Sequence, residues 1–452
     1  MTDVSVLFLI QNFEVKGFED CAAYREIVKP MLASGLVSDH RIQFFEQSHE
    51  MIEPALGKRL SDYQREFGDR KLVVYGAGLH TQALMPKLRQ FNIVAFADRD
   101  ERLWGSMLES LPVIDPKRVP EFSDLVLVSS RAFEGAIVDD LAALHDDMLS
   151  ILPMYQGLVD KEQWHDEIAS SVNSELAEFD ADILFFAPTH PGDNLSPKYF
   201  ERLKLANPKL KVVTLWWDYD EQEQSQLYLQ FERDSLLYSD LVIENTNATR
   251  LEKMKRREGL YIDHVGAEKV IFHPTSPDPE LFFPRALEKK YDVAIFGSSA
   301  GERKGWIEFL QSELGDRFHH IGGISHDDQT LPIEDYAIAM SQAAIVINTQ
   351  TYPFRKQCKG KVREALASKV LLLEEWNAET EVFVGENNLD WFRSRTELLE
   401  KIEFYLRHSS ERESLAAQGY HWFSNNRSAK AWTRLLLTKI GLSEEGFEDH
   451  AL

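Results

Sequence analysis

The chain has 452 residues, a formal net charge of −24, 44% hydrophobic residues and 27% charged residues. That is the composition of a soluble globular protein of two to four domains, and its acidity argues against a coat for DNA or RNA, whose affinity comes from neutralising phosphates. No apolar run approaches the ~18–20 residues of a membrane span. The two cysteines, Cys21 and Cys358, supply neither a disulfide framework nor a zinc quartet, so a cytoplasmic protein without a bound metal is expected.

Strand-like apolar runs alternate with amphipathic stretches along the whole chain, the pattern of α/β proteins with parallel sheets. The run from Val4 to Ile10 lacks a basic flank and reads as a strand rather than a leader. A helical stretch from Phe18 to Ala33, a strand from Arg41 to Phe45 and a helix from Glu50 to Phe67 complete a first block too short to be a domain. A second unit opens with Lys71-Leu-Val-Val-Tyr-Gly76-Ala-Gly78, continues with strands ending at Asp98, Ile114 and Ser129, and closes near Met154. Strands at Ala181–Ala187, Leu210–Leu215 and Leu241–Glu244 follow. Asp278-Pro-Glu-Leu-Phe-Phe-Pro284 reads as a linker, because its prolines fit neither strand nor helix interiors. After it a fresh sheet starts at Tyr291–Gly297 and continues through Phe318–Ile321, Ala344–Asn348 and Val370–Leu373, before three helices end the chain. The expected organisation is a first domain made of 1–67 and 156–284, an inserted unit at 68–155, a second domain at 285–440, and a tail at 441–452. A serial arrangement, with 1–67 capping the second unit, is the competing reading.

Between Arg355 and Arg363 five of nine residues are basic and none is acidic. A positive island in an acidic protein must be solvated or matched by an anion. Here it sits on a loop feeding a helix, immediately before a buried strand, where α/β proteins hold phosphates. A solvated basic helix start is the plainer explanation of the same charges.

Two doubly wound halves, a Pro-rich crossing and a basic loop followed by a helix-starting Glu resemble the GT-B glycosyltransferases, in particular their spore-maturation (CgeB-like) branch. The likeness is carried by Phe296-Gly297-Ser298 with Glu302-Arg303-Lys304-Gly305, Leu331-Pro332, Ile345-Val-Ile-Asn348, Arg363-Glu364-Ala-Leu-Ala-Ser368 and the helices around Leu399–Leu406 and Glu411-Arg412. It implies a GT-B fold with an additional small Rossmann-like domain. It also implies transfer of a sugar from a nucleotide-sugar donor (UDP- or GDP-sugar) to a glycan, lipid-linked, protein or small-molecule acceptor. No further cofactor is required.

By the same resemblance Gly297, Ser298, Arg303 and Lys304 would hold the donor diphosphate, with Lys361 and Arg363 as further candidates. Glu364 falls on the family's ribose-binding acid, and Leu331 and Pro332 fall where backbone groups hold the base. Arg and Lys suit this task because their hydrogen bonds to phosphate are charge-assisted. One departure is Lys356, which occupies the place of another Glu found eight residues earlier in many retaining relatives, so stereochemistry is left open.

In the first half, Ala187-Pro-Thr-His190-Pro-Gly-Asp193 follows a strand, so His190 or Asp193 could deprotonate an acceptor hydroxyl. Trp217-Asp218-Tyr-Asp220-Glu221 mimics a metal-binding Asp-x-Asp, but its acids are read as acceptor-side or capping groups. Gly76, Gly78 and Asp98 resemble a Rossmann nucleotide turn with its ribose acid about 20 residues on, although the third glycine position is Gln82 or Ala83. Lys253-Met-Lys255-Arg256-Arg257 could touch anionic lipid, but its flanking Glu252 and Glu258 favour a solvated helix face. Two other functions remain possible on these residues: a catalytically inactive nucleotide-binding protein, or a sugar-nucleotide-modifying enzyme working through the inserted unit.

Overall fold

A computed structural model describes residues 4–12, 23–46, 49–130, 133–145, 148–158, 161–188, 194–217, 226–322, 331–352, 356–385 and 387–443. The chain forms two compact units, one of Met1–Phe45 with Ser171–Leu452 and the other of Glu46–Ser170. The fold is α/β, with three mostly parallel sheets.

The first unit holds two of the sheets. Its six-stranded sheet runs Val270–Phe272, Leu241–Glu244, Lys211–Trp216, Ile183–Ala187, Ser5–Asn12, Asp39–Glu46. Ser5–Asn12 pairs in parallel with Ile183–Ala187, 177 residues away (Val6 against Ile183). Its five-stranded sheet runs Phe318–Ile321, Tyr291–Phe296, Ala343–Asn348, Leu371–Glu375, Asp390–Phe392, and every pairing is parallel. These strands are buried along most of their length, which is why they read as continuous apolar runs rather than alternating ones. The chain passes from one sheet to the other through the Asp278–Pro284 crossing.

The edge strands Val270–Phe272 and Asp390–Phe392 were not legible in the sequence, being three residues each. The expected helix from Phe18 begins, within the described residues, as a π-helical turn, Tyr24–Val28, and continues as Lys29–Ala33. Ile27 and Val28 bury into the core of the six-stranded sheet.

Two boundaries differ from the sequence reading. The helix His49–Phe67 belongs to the middle unit, where Leu56 and Leu60 pack on Leu72 and Val74 and the Tyr63 hydroxyl donates to the Pro153 carbonyl at 2.9 Å. The last helix, Ala429–Lys439, was expected with the second sheet, but Trp432, Leu436 and Leu437 bury among Val6, Phe8 and Phe185 of the first. Trp432 is fully buried and stacks on His273 at 5.8 Å between centroids, 12° between planes. Its indole N–H donates to the His273 carbonyl at 3.3 Å, while His273 Nε2 donates to the Trp432 carbonyl at 3.2 Å.

That pairing makes stability depend on acid. Burial, reinforced by Arg427, pulls the His273 imidazole down from 6.5 to about 3, because protonation would place a charge at Nδ1, a buried atom with no hydrogen-bond partner among the described residues. A histidine depressed in the folded state contributes stability that is present above its unfolded pKa and lost as pH falls toward the folded one. The thermal midpoint should therefore drop between about pH 6.5 and pH 3 with a slope of up to ~1.4 kcal/mol per pH unit from this group. His273→Phe, which keeps a ring against Trp432, should flatten that part of the curve. An unchanged slope in the variant refutes the assignment.

The middle unit has its sheet in the order Met107–Leu108, Leu111–Ile114, Asn92–Ala97, Lys71–Tyr75, Leu125–Val128, Ser150–Pro153. Only the Met107–Leu108/Leu111–Ile114 hairpin is antiparallel.

Candidate donor site

The strand Tyr291–Phe296 delivers the chain to Gly297 at the carboxyl end of the five-stranded sheet, where α/β proteins bind ligands. Gly297 has φ of 107° and donates its N–H to the Ile321 carbonyl at 2.9 Å. A side chain here would be strained, and its Cβ would lie 3.2 Å from both Arg303 Nη1 and Lys361 Cε. The glycine is the floor on which two cations meet.

Arg303 reaches that floor from the helix Glu302–Leu314 and is 3% exposed. Nη2 donates to the Thr349 carbonyl at 2.6 Å and Nε to Thr349 Oγ1 at 3.3 Å, which fixes the guanidinium plane. Burial lowers its pKa. Lys361 arrives from the first turn of the helix Gly360–Ala367, whose N-terminal dipole adds to the positive field.

Glu364 lies one turn further along that helix. It accepts a 2.9 Å hydrogen bond from the Tyr336 hydroxyl, and burial pushes its carboxyl up against the opposing pull of Lys361. Glu364, Gly360 and Arg363 line a pocket together with Phe282, Ile333, Arg25 and Glu26. Leu331 packs partly buried beside the Tyr336 cluster, and Pro332 caps the helix Ile333–Gln342. Ser298, in the turn after Gly297, is partly exposed.

The structure brings Gly297, Arg303, Lys361 and Glu364 together and places the other two basic residues elsewhere. Lys304 projects outward, 68% exposed, 3.9 Å from Glu308. Successive helical positions point about 100° apart, so the neighbour of an inward Arg303 faces solvent. Arg363 is buried, and its Nη1 donates to the Thr275 carbonyl at 2.5 Å and to Thr275 Oγ1, not toward Gly297. His190 and Asp193 lie outside the described residues, as do Asp218, Asp220, Glu221 and Arg355. Trp217 is described and packs partly buried on the first sheet's core.

Sequence reading missed two acids at the end of the strand Leu371–Glu375. Glu374 is fully buried and accepts from Asn348 Nδ2 at 2.8 Å, Thr380 Oγ1 at 3.1 Å and Asn377 Nδ2 at 3.2 Å. Burial pushes its carboxyl up to about 8 despite those donors. Glu375 accepts from the Gln350 N–H at 2.9 Å and feels Lys356 and Arg303. The available signal was an acidic pair directly following an apolar run, at the binding end of a parallel strand.

In the middle unit Gly76 has φ of 118°, and a Cβ there would lie 2.6 Å from Ser129 Oγ and 2.8 Å from Thr81 Oγ1. Both carboxylate oxygens of Asp98 accept from backbone N–H groups. Oδ2 accepts from the Ala77 N–H at 2.8 Å and Oδ1 from the Asp100 N–H at 2.9 Å. Gly78 precedes the helix Leu79–Leu88 in extended backbone that any residue adopts. Among the described residues no cluster of three or more His, Cys, Asp or Glu could hold a metal ion, and no helix is long and apolar enough to cross a membrane.

Residues 280–438 match a glycosyl transferase-like family model, and residues 68–152 match the model of a C2185-like N-terminal domain. No curated protein sequence matches the chain. Among solved structures it is similar to HepE of Anabaena in complex with UDP-glucose, at 12% identity over 82% of this chain and 99% of that one, with a TM-score of 0.44. It is also similar to sucrose-phosphate synthase of Thermosynechococcus elongatus, at 10% identity over 82% and 98%, TM-score 0.42. A UDP-D-quinovosamine 4-dehydrogenase of Vibrio fischeri is 26% identical over 19% of this chain and 76% of its own, TM-score 0.16. Residues 280–438, in the second half of the first unit, are thus similar to a glycosyl transferase-like family.

Proposed function

We propose that this chain is a GT-B glycosyltransferase that moves a sugar from a nucleoside-diphosphate donor to a hydroxyl acceptor. The observation that carries the reading is the meeting of Arg303 and Lys361 over Gly297, one helical turn from a partly buried Glu364, inside the segment that matches the glycosyl transferase-like family. In this reading the two cations neutralise the leaving diphosphate, where charge develops in the transition state. Arg303 is already held by Thr349 and needs little reorganisation to do so. Glu364 accepts from the ribose hydroxyls, with Tyr336 orienting its second oxygen. Acceptor deprotonation is assigned to His190 or Asp193 on the loop after Ile183–Ala187. The donor is taken to carry UDP or GDP.

A catalytically inactive nucleotide-binding protein is the second reading, favoured by Lys356, which is exposed at the place where retaining relatives carry an acid.

The test is a thermal-shift panel of UDP, GDP, ADP, CMP, TDP and NAD on wild type and Glu364→Ala. A nucleotide at about 100 times its dissociation constant adds about 2.7 kcal/mol to stability. One nucleoside diphosphate should raise the midpoint of the wild type and fail to do so for the variant. A response to NAD alone would transfer the function to the middle unit, and silence across the panel would refute the nucleotide reading.

A further inference from the structure

We propose that Arg363 is a positioning residue: it latches the helix that carries Lys361 and Glu364 to the opposite half of the first unit and does not hold the donor's phosphates. The proposal rests on the glycosyltransferase reading of that site and deepens it.

Arg363 belongs to the five-stranded half, yet its side chain ends in the six-stranded one. Nη1 donates to the carbonyl and hydroxyl oxygens of Thr275, and Nη2 lies 3.6 Å from Glu26 Oε2. Thr275 Oγ1 donates to the same Glu26 oxygen at 3.1 Å, and the Thr275 N–H donates to Asn245 Oδ1 at 2.8 Å. Residues immediately before the helix are held in the same way. The Cys358 N–H donates to the Thr246 carbonyl at 3.0 Å, and Asn247 Nδ2 donates to the Lys356 carbonyl at 3.2 Å.

The receiving loop is itself fixed. Glu244 accepts from the N–H groups of Thr246 and Asn247 at 2.9 and 3.0 Å, and is paired in the interior with Arg250 at 2.6 Å. Nη1 holds both oxygens of Thr275 while Nη2 of the same plane lies 3.6 Å from Glu26, so the rigid guanidinium sets distance and angle together, which a point charge cannot. The helix start bearing the donor groups is therefore registered on the other half at Thr246, Asn247 and Thr275. Nucleotide affinity should depend on that register.

The seam contains its own probe. Cys358 is fully buried beside Arg363, and burial pushes its thiol up to about 12. With Cys21→Ser in the full chain it is the sole thiol. Removing the nearby Arg363 cation would by itself raise the thiol pKa further and slow labelling, so any acceleration reports opening of the seam.

The experiment measures labelling of Cys358 by a maleimide, and the dissociation constants of UDP and uridine, in wild type, Arg363→Ala, Arg363→Lys and Thr275→Val. Arg363→Ala should speed labelling about tenfold and weaken UDP and uridine by the same factor, because both bind Glu364. Arg363→Lys should not rescue, and Thr275→Val, which keeps the carbonyl acceptor, should fall between it and the wild type. UDP weakened while uridine is unaffected would make Arg363 a phosphate ligand and overturn the proposal. So would unchanged labelling and affinities. Should wild type bind neither probe, the uridine-nucleotide reading of the site fails, and the labelling rates alone decide the latch.

Discussion

Replacing Trp432 by Ala is expected to cost about 3–5 kcal/mol, the range for emptying a fully buried aromatic site. Few substitutions in this chain should cost more. Trp432 is 0% exposed, its ring lies 6.4 Å from Phe185 and 5.8 Å from His273, and its indole N–H satisfies the His273 carbonyl. The variant loses dispersion with both rings and leaves that carbonyl short of its donor in a dry core. The loss falls on the contact that fastens the last helix to the first sheet, so the structure should fail there before it fails elsewhere. Thermal denaturation and limited proteolysis check this together. The midpoint should drop and cleavage near residues 427–440 should accelerate, whereas a change below about 1 kcal/mol would mean that the helix is held by other groups.

Gly297→Val should abolish donor binding while the sheets persist. Two independent penalties act at this position. A β-branched residue at φ of 107° is strained by about 1–3 kcal/mol. Its Cβ would also sit 3.2 Å from Arg303 Nη1 and from Lys361 Cε, so the cations must move off the space a diphosphate would enter. Arg303 has little freedom to yield, being held by both oxygens of Thr349. A loss in nucleotide affinity of about 30-fold or more, corresponding to ~2 kcal/mol, is expected by calorimetry, with the far-ultraviolet dichroism of the wild type. Retained affinity would place the diphosphate elsewhere. The same space explains why glycine stood out in the sequence: Phe296-Gly297-Ser298 closes a buried strand, and a positive φ at that point admits few other residues.

The central strands of all three sheets could be read from the chain because each is a short, nearly unbroken apolar run, which two-sided burial requires. Their register and their neighbours could not. Ser5–Asn12 pairs with a strand 177 residues away, and no local pattern encodes a partner at that separation. The edge strands were invisible because three residues carry too little periodicity to separate them from loop.

At the site, residue type proved informative and side-chain direction did not. The basic loop and Glu364 fall at the start of one helix, Gly360–Ala367, directly before the buried strand Leu371–Glu375. Yet Arg303 and Lys304 are adjacent in sequence and divide between the interior and solvent, a consequence of helical rotation that composition does not carry. Arg363 crosses to Thr275, and Glu374 collects three donors from separate segments.

By itself, then, the sequence determined the α/β class and the place of the Pro-rich crossing, both of which follow from local apolar runs and local composition. Tertiary structure alone decided that the last helix belongs to the first sheet, that His49–Phe67 belongs to the middle unit, and which cations face the glycine floor. These depend on long-range packing: a side chain buries where another surface completes its cavity or its hydrogen bonds, and that surface is brought by chain tens to hundreds of residues away.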